Sequence, residues 1–424
     1  MGVILVRHHN KSGILFVLGI FFLSVITFLF EYTDGRSISS GEKVKSVILD
    51  NLVGMNIEEV QDYAEENGIV LQIEYQYHKE ILNDKIISQS KAAGELVSGD
   101  KVLEVVVSKG PIPISVYQEY QVNELGSVPI MMYHGIVNMN NDETTYIGGN
   151  VDKDGYSRTV EAFRSDLEFY YNNGYRMIRL EDYIDGIIDV ELGKSPIILT
   201  FDDGNENNFK VLGEENGELL IDPNCAIGVL EEFKKKYPDY GVTATFFVNQ
   251  GLFEQEEYDE KILMWLVNHG YDIGNHTLSH ADFTRIGIDE TKKEIGGLYQ
   301  LLDEIIPNQY VSIVALPFGS PYNREHENYE FILKGNYLEK SYQSKGALRV
   351  GWEAELSCFD KNFQPTFLKR IRAYDNEGKD FDLEMNFKIL EKKRYISDGD
   401  VNTIVVMNDD EGLLGETNKE VILY

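Results

Sequence analysis

A short apolar run that ends in two carboxylates restricts the possible fold of this chain most strongly. Residues 196–201 read Pro-Ile-Ile-Leu-Thr-Phe and are followed at once by Asp202 and Asp203. A β-rich apolar run of this length is typical of a buried strand. In α/β barrels the active-site residues lie at the C-terminal ends of the parallel strands. The sequence therefore predicts an α/β fold with a reactive site at the end of this strand.

A pair of histidines further along the chain supplies a second polar motif. His276 and His280 are four positions apart, so on a helical turn they would share one face and could hold one ion. Together with one aspartate they would leave a coordination position open for water, as in catalytic metal sites. Each motif also has a structural interpretation, because an Asp pair can form a turn and helix cap and the histidines can be a satisfied polar pair.

Four segments, taken in order, resemble one family. They are Val-Pro-Ile-Met-Met-Tyr-His at 128–134, Thr-Phe-Asp-Asp-Gly at 200–204, Ala-Thr-Phe-Phe-Val at 244–248 and His-Thr-Leu-Ser-His at 276–280. These resemble the NodB-type polysaccharide deacetylases, carbohydrate esterases that remove N-acetyl groups from chitin-like glycans and peptidoglycan. The resemblance covers residues 128–424. It implies a distorted, incomplete (β/α) barrel of seven strands and hydrolysis of N-acetyl groups on peptidoglycan or a related surface glycan.

The resemblance also implies roles for individual residues. The first aspartate of the family's motif is the general base, which corresponds to Asp202. The metal ligands correspond to Asp203, His276 and His280, with Zn²⁺ expected and Co²⁺, Ni²⁺ or Mn²⁺ as alternatives. The backbone N–H of Phe318, in the family's third motif, would stabilise the oxyanion.

Two further residues are expected to bind substrate. Pro317 lies in the turn of the third motif, Leu316–Gly319, and Trp352 is the tryptophan of the fourth motif. We expect Trp352 to line the pocket that receives the acetyl methyl group. As a lone aromatic it could equally belong to the core.

The chain departs from the family at a pair of charged residues. Leu316 stands where the third motif has an arginine, and the fourth motif lacks its aspartate. Family arginine and aspartate normally pair and orient the base, so their joint loss is coherent. Arg349 or Arg372 is the candidate that would orient Asp202 instead.

The fifth motif of the family, which supplies the histidine acid, is the most serious departure. The strand expected to carry it, residues 402–410, has Asn408 in that position, and an amide side chain has no proton to give at a useful pKa. His134, Asp409 and Asp410 are the candidate substitutes. Three outcomes stay open: an N-deacetylase with a substitute acid, an O-acetyl esterase, and a non-catalytic metal- and glycan-binding wall module. A protein-interaction module without metal is a further alternative.

The N-terminal region predicts a membrane anchor. Residues 13–30 carry no charged side chain. As a helix, a run of this length is roughly long enough to cross the hydrocarbon core of a membrane. Arg7 precedes the run and Glu31 follows it, so the positive-inside bias places everything after it outside the cell. A cleaved signal peptide is the alternative. We expect a cytoplasmic tail at 1–11, a transmembrane anchor at 12–30 and a single-pass cell-membrane protein with extracellular C-terminal domains.

Residues 41–110 predict a separate α+β unit. An Asn-Leu-Val-Gly-Met turn at 51–55 leads into residues 57–64, which have apolar side chains at helical spacing, and residues 102–110 alternate as a strand. This resembles a PASTA domain, the small module of bacterial cell-wall enzymes and sensor kinases, which implies either peptidoglycan binding or a spacer. Residues 111–127 are expected to form a linker.

Charge and cysteine content complete the predictions. The formal net charge of −32 argues against a nucleic-acid partner, which needs a basic surface. The expected partners are instead an acetylated glycan and, through one helix, the membrane. Cys225 and Cys358 could form one disulfide outside the cell or remain two thiols.

Overall fold

A computed structural model describes residues 46–98 and 102–424. The predicted anchor at residues 12–30 lies outside these described residues. Among the helices that the structure does describe, none is long and apolar enough to span a membrane. The described residues divide into two compact units, one ending at Ser108 and one beginning at Lys109, with Tyr77–Glu80 grouped with the second.

The first unit is a small α+β fold. Its elements are β1 Val47–Ile48, α1 Ile57–Asn67, β2 Val70–Gln76, β3 Ile86–Gln89, β4 Leu96–Val97 and β5 Val102–Ser108. The predicted helix and closing strand are both present. Asn56 caps the helix by accepting from the backbone of Glu58, and Glu59 reaches back to Asn56, which forms a capping box. The apolar face of α1 packs with Leu52 and Val105 in one core.

The second unit alternates strands and helices. Its strands are β6 Ile130–Tyr133, β7 Ile136–Val137, β8 Arg158–Thr159, β9 Tyr175–Met177, β10 Ser195–Phe201, β11 Val211–Glu215, β12 Glu218–Ile221, β13 Thr245–Val248, β14 Asp272–Asn275, β15 Ile313–Ala315, β16 Lys334–Tyr337, β17 Lys340–Gln343, β18 Gly346–Leu348, β19 Ile371–Arg372, β20 Thr403–Val406 and β21 Glu420–Leu423. Its helices are α2 Ile114–Tyr120, α3 Val160–Asn172, α4 Leu180–Ile184, α5 Ala226–Lys236, α6 Asp259–Asn268, α7 Ile288–Ile305, α8 Tyr329–Leu333 and α9 Leu383–Leu390.

A curved parallel sheet forms the centre of this unit. Seven strands follow the path β18-β15-β14-β13-β10-β6-β19, and β9 pairs with the first half of β10. An isolated parallel bridge between Leu348 and Leu368 links the two ends of the path. The predicted α/β fold with a parallel sheet is therefore confirmed, and its edge strands approach each other as in an incomplete barrel.

The sequence of β10 explains why it lies at the middle of this sheet. All seven of its residues are buried, because a parallel strand is covered on both faces and needs an apolar side chain on each. Phe201 packs with Phe246 in the main hydrophobic core of this unit, on the outer face of the sheet (the outer core). Thr200 and Asp202 belong to the opposite, inward face, since side chains alternate along a strand.

The C-terminal strand does not occupy the position predicted for it. The strand expected at 402–410 is present as β20, but it pairs with β21 in a separate two-stranded sheet. The N–H of Val405 donates to the Glu124 carboxylate at 2.7 Å. This hydrogen bond connects β20 to the segment that precedes β6. Asn408 follows this strand and is exposed. The barrel position beside β6 belongs to β19, a strand that sequence analysis did not identify.

Three other regions complete the unit. The predicted linker contains α2, whose Tyr117 packs in a small core with Val122 and Val405, so this segment is an ordered part of the second unit. A hairpin, β11–β12, follows the aspartates and leads into helix α5. Both Cys225 and Cys358 are free thiols.

Candidate active site at the C-terminal mouth of the sheet

The polar residues selected from the sequence converge at one edge of the parallel sheet. Asp202 and Asp203 follow β10, His134 follows β6 and His276 follows β14. The register pairs Phe201 with Tyr133 across β10 and β6, so the residues after these two strands emerge side by side. Parallel strands thus bring side chains from distant parts of the chain to one mouth.

Asp203, His276 and His280 form a candidate metal centre. Their potential ligand atoms all lie within 4.8 Å of one another. Asp203 Oδ1 is 3.1 Å from His276 Nε2 and 3.3 Å from His280 Nε2. Burial raises the pKa of Asp203, but hydrogen bonds from the two histidines outweigh burial and bring the pKa well below its ordinary value. The carboxylate is therefore ionised, as a metal ligand must be.

A second contact fixes His276 in the tautomer that a metal needs. Its Nδ1 lies 2.9 Å from the carbonyl oxygen of Ala315, and only a protonated Nδ1 can donate to that oxygen. With Nδ1 held in this way, a neutral His276 would offer its Nε2 lone pair to a cation in place of the hydrogen bond that Nε2 makes to Asp203 here. This carbonyl partner is the kind of support that ligating histidines usually have, so the donor set fits a divalent cation.

The prediction that the two histidines share a helical turn is wrong. Thr277 has φ +68° and His280 has φ +59°, so the segment is a loop and not a turn of helix. Asn275 accepts from the N–H of Thr277, and the buried Glu294 carboxylate accepts from both the N–H and the hydroxyl of Ser279, at 2.8 Å each. These polar anchors replace helical hydrogen bonds. Glu294 gave no signal in the sequence, because it lies on helix α7, outside the motif that it supports.

Asp202 is held by an arginine that sequence analysis missed. Arg370 is fully buried and donates from both terminal nitrogens to the two carboxylate oxygens of Asp202, at 2.7 Å each. Its Nε donates to the carbonyl of Arg349, and one terminal nitrogen reaches the Thr200 hydroxyl. Burial raises the pKa of Asp202, but the charge and hydrogen bonds of Arg370 outweigh burial and lower the pKa below its ordinary value. A planar guanidinium suits such a two-point contact.

Neither arginine suggested from the sequence orients Asp202. The guanidinium of Arg349 stacks on Phe367, 4.4 Å from the ring centroid. The guanidinium of Arg372 stacks on Tyr374 at 4.0 Å. Arg372 is on the same strand as Arg370, two positions later, but β19 is only two residues long, so no strand pattern in the sequence distinguishes the two arginines. The Arg-Ile-Arg alternation at 370–372 is the signal that could have shown it.

His134 lies across the mouth from the candidate metal centre. Its Nε2 is 4.0 Å from Asp203 Oδ2, and its buried Nδ1 has no hydrogen-bond partner among the described residues. Burial lowers the pKa of His134 below its ordinary value, against the opposing pull of Asp202 and Asp203. Tyr156 packs edge-on against the imidazole with ring centroids 4.8 Å apart.

The remaining predicted residues line the same mouth or its rim. Pro317 is buried and Phe318 is exposed, with φ +58°. The Phe318 ring packs edge-on against His280 at 4.7 Å, which places the third motif next to the metal centre. Trp352 is 55% exposed in a neighbouring cleft, and it is therefore not a core residue. Asp409, a carboxylic acid predicted as a possible substitute for the family's histidine acid, follows β20 and is exposed.

Family comparisons agree with this geometry. A family model described as polysaccharide deacetylase matches residues 189–330. A second model, described as PASTA domain, matches residues 47–109. The first match contains the aspartate pair and both histidines.

Curated relatives match over part of the chain. They include an uncharacterized 30.6 kDa protein of Geobacillus stearothermophilus, 30% identical over 30% of this chain and 39% of the relative. Peptidoglycan-N-acetylmuramic acid deacetylase PdaC of Bacillus subtilis is 28% identical over 31% of this chain and 23% of that protein. A peptidoglycan-N-acetylglucosamine deacetylase of Bacillus cereus is 30% identical over 26% of this chain and 32% of that protein. The chain thus spans less than half the length of each of these relatives.

Motifs, fold and family models lead to the same assignment for each unit. The first unit has the helix and strands predicted from the PASTA resemblance, and the second holds the motif residues at the mouth of a parallel sheet. The chain therefore contains a PASTA domain, matched over residues 47–109, and a polysaccharide deacetylase domain, matched over residues 189–330.

Proposed function

We propose that this protein is a metal-dependent hydrolase that removes N-acetyl groups from peptidoglycan or a related acetylated surface polysaccharide. The observation that supports it most is the convergence of Asp203, His276 and His280 beside an Asp202 that Arg370 keeps ionised. Asp203 can thus bind the cation, while Asp202, held separately by Arg370, can accept a proton. Two of the relatives named above are peptidoglycan deacetylases.

The cation in this proposal is Zn²⁺, with Co²⁺, Ni²⁺ or Mn²⁺ as alternatives for the same ligands. Asp203, His276 and His280 would hold it, and they leave a position open for substrate and water. When bound, such an ion lowers the pKa of water and polarises a carbonyl oxygen.

The protein residues divide the proton transfers between them. Asp202 accepts the proton of the attacking water, because its low pKa keeps it ionised and Arg370 fixes the direction of its oxygens. The backbone N–H of Phe318 donates to the developing oxyanion. His134 donates a proton to the leaving nitrogen, because an amine leaves poorly as an anion and a general acid contributes roughly 10²–10⁴-fold. Pro317 and Trp352 border the bound sugar.

The location of the activity is also part of the proposal. Residues 12–30 would anchor the chain in the cell membrane, with both units outside, where the wall polymer is. The support is the uncharged run with a basic residue before it and an acidic residue after it. Protease treatment of intact cells tests this location. Both units should be cleaved from the outside, and protection of both would contradict it.

Acetate release tests the enzymatic part. The full, zinc-loaded chain is incubated with purified peptidoglycan and with acetylated chito-oligomers. Asp202→Asn should keep bound metal and lose turnover, whereas Glu206→Gln, an exposed carboxylate with a Lys210 ion pair, should behave as wild type. Metal binding without acetate release from either glycan would contradict the proposal and favour a wall-binding module. Acetate released only from O-acetylated substrates would identify an esterase instead.

A further inference from the structure

Arg372 is a positively charged residue beside the candidate active site. Its guanidinium lies over two aromatic rings, 4.0 Å from the centroid of Tyr374 and 5.1 Å from that of Tyr156. Among the described residues, no carboxylate reaches ion-pair distance of it, whereas Arg158 contacts two carboxylates and Arg370 contacts Asp202 with both terminal nitrogens.

The register of the sheet puts Arg372 on the same face as the catalytic candidates. In β19, Ile371 pairs with Met131 and Arg372 pairs with Met132 of β6. Ile371 and Met131 both belong to the outer core, so Arg372 projects inward with Arg370, two positions before it. His134 lies two positions after Met132 on that inward side. Arg372 therefore lies on the same face of the sheet as the candidate catalytic residues, and Tyr156 lies next to both Arg372 and His134.

A cleft of about 280 Å³ opens at this arginine. It is lined by Tyr156, Trp352, Arg372, Tyr374, Asp380 and Phe381, together with residues 350–351. Tyr156 connects the cleft to the catalytic candidates, because its ring also packs against His134. Asp380, the acid in the lining, is directed to Asn376, whose amide donates to its carboxylate at 2.8 Å.

The stacking leaves the hydrogen-bonding edge of Arg372 available. Rings that cover the faces of a guanidinium hold it in place by cation–π attraction, while its N–H groups point outward in the guanidinium plane. Such an edge matches the two oxygens of a carboxylate or phosphate. Trp352, which is 55% exposed in the same cleft, offers the flat apolar surface against which a sugar ring packs.

We propose that this cleft is a subsite for an anionic sugar, one that carries a carboxylate or phosphate group and neighbours the sugar that loses its acetyl group. Arg372 binds the anionic group, and Trp352 packs on the ring of the same sugar. This inference rests on the proposed function and adds a substrate class to it, namely acetylated glycans with acidic substituents.

Matched oligomers test the subsite. The probes are acetylated chito-oligomers in three forms: unmodified, oxidised at C6 to uronates on part of the sugars, and phosphorylated at C6 on part of them. The full, zinc-loaded chain should show a KM for one or both acidic forms about 10- to 100-fold below that of the neutral form, as expected for hydrogen bonds to a charged group. Which acidic form has the lower KM distinguishes carboxylate from phosphate recognition.

Substitutions locate the effect. Arg372→Gln should remove the preference by raising KM for the acidic oligomer, with kcat and the neutral oligomer unchanged, and Arg372→Lys should restore part of it. Arg349→Gln is the matched control, because Arg349 is also stacked on a ring and lacks an ion pair among the described residues. Equal KM values for all three oligomers in wild type would overturn the proposal. So would an equal loss of preference in Arg349→Gln, since that would indicate a general charge effect.

A binding measurement keeps this test separate from the proposed activity. The Asp202→Asn variant is expected to bind oligomers without hydrolysing them. Calorimetric titration of this variant with the three oligomers therefore measures binding at the subsite independently of acetate release. Tighter binding of an acidic oligomer that disappears in the Asp202→Asn/Arg372→Gln double variant would support the subsite even without acetate release. Equal affinities for all three oligomers would overturn it even if the enzyme is active.

Discussion

The pairing of Asp202 with Arg370 fixes the properties of the candidate base. Both side chains are buried and share two hydrogen bonds, so neither charge is solvated by water. Removing one partner of such a pair typically costs about 3–5 kcal/mol, because the remaining charge stays buried without compensation. The same contact lowers the pKa of Asp202. Stability and basicity of the site are therefore controlled by one arginine.

The Arg370→Gln substitution should change the pH dependence of the reaction. Arg370 lowers the pKa of Asp202, and without it burial dominates and raises that pKa. The carboxylate is the active form of a base, so activity at acidic pH should be lost and the acid limb of kcat/KM should move to higher pH. The measurement is the pH profile of acetate release, with Arg349→Gln as the control. An unshifted acid limb in a folded Arg370→Gln protein would show that Arg370 does not set this pKa.

The His134→Asn substitution should separate proton donation from metal binding. If His134 is the acid, kcat should fall by roughly 10²–10⁴-fold, while metal content stays unchanged because the ligands are Asp203 and the two other histidines. His269→Asn is the control, since His269 is exposed and stacks on Trp265. The assay is acetate release alongside metal analysis. Unchanged turnover in His134→Asn would remove it from the mechanism.

At the scale of elements, the predictability of the fold depended on strand length and coverage. Strand β10 was predictable because seven buried residues read as one apolar run. Strand β19 was not, because it contributes two residues to the sheet and arginines flank its single apolar residue. The histidine pair was assigned to a helix because a spacing of four is a helical signature. The positive φ of Thr277 and His280 depends on Asn275 and Glu294, and such tertiary anchors leave no local pattern.

The tie between β20 and the segment before β6 should make stability depend on pH. Glu124 is buried and accepts from Tyr395 and the N–H of Val405, at 2.7 Å each. Burial, reinforced by Asp398, raises the pKa of Glu124 well above its ordinary value. The folded state therefore holds the proton more tightly than the unfolded state. Its stabilising effect is complete below the unfolded pKa of about 4.5 and is lost as the pH rises above it.

The Glu124→Gln substitution isolates this effect. Glutamine does not ionise, so between pH 4.5 and pH 7 the free energy of unfolding should fall more steeply for wild type than for the variant. Urea unfolding at several pH values measures the difference, and Glu420→Gln serves as an exposed control on β21. Parallel pH curves for wild type and Glu124→Gln would mean that Glu124 does not ionise in this range.

At the scale of the whole molecule, the two units have separate hydrophobic cores. Leu52 belongs to the core of the first unit, while Phe201 and Phe246 belong to the main core of the second. Each unit therefore has the buried apolar surface that independent folding requires. The family assignment of both units followed from motifs in the sequence, whereas the ion pair at the base needed the assembled sheet.

The Leu52→Ala substitution tests this independence. Leu52 is fully buried, and a Leu→Ala change in a core costs about 2–5 kcal/mol, which is large for so small a unit. The first unit should unfold at lower temperature, while acetate release from short soluble oligomers stays at the wild-type level. Calorimetry and the acetate assay measure the two effects, with the exposed Val53→Ala as control. A matching loss of activity would show that the second unit depends on the first.

The order of the strands has a consequence for biosynthesis. The candidate base leaves the ribosome 168 residues before its arginine, and until Arg370 arrives Asp202 would be a charge without its partner in the middle strand of the sheet. The inward face of β10 thus cannot settle into its final packing while only the first part of the sheet exists. Catalytic competence would be acquired late and abruptly, when β19 docks beside β6.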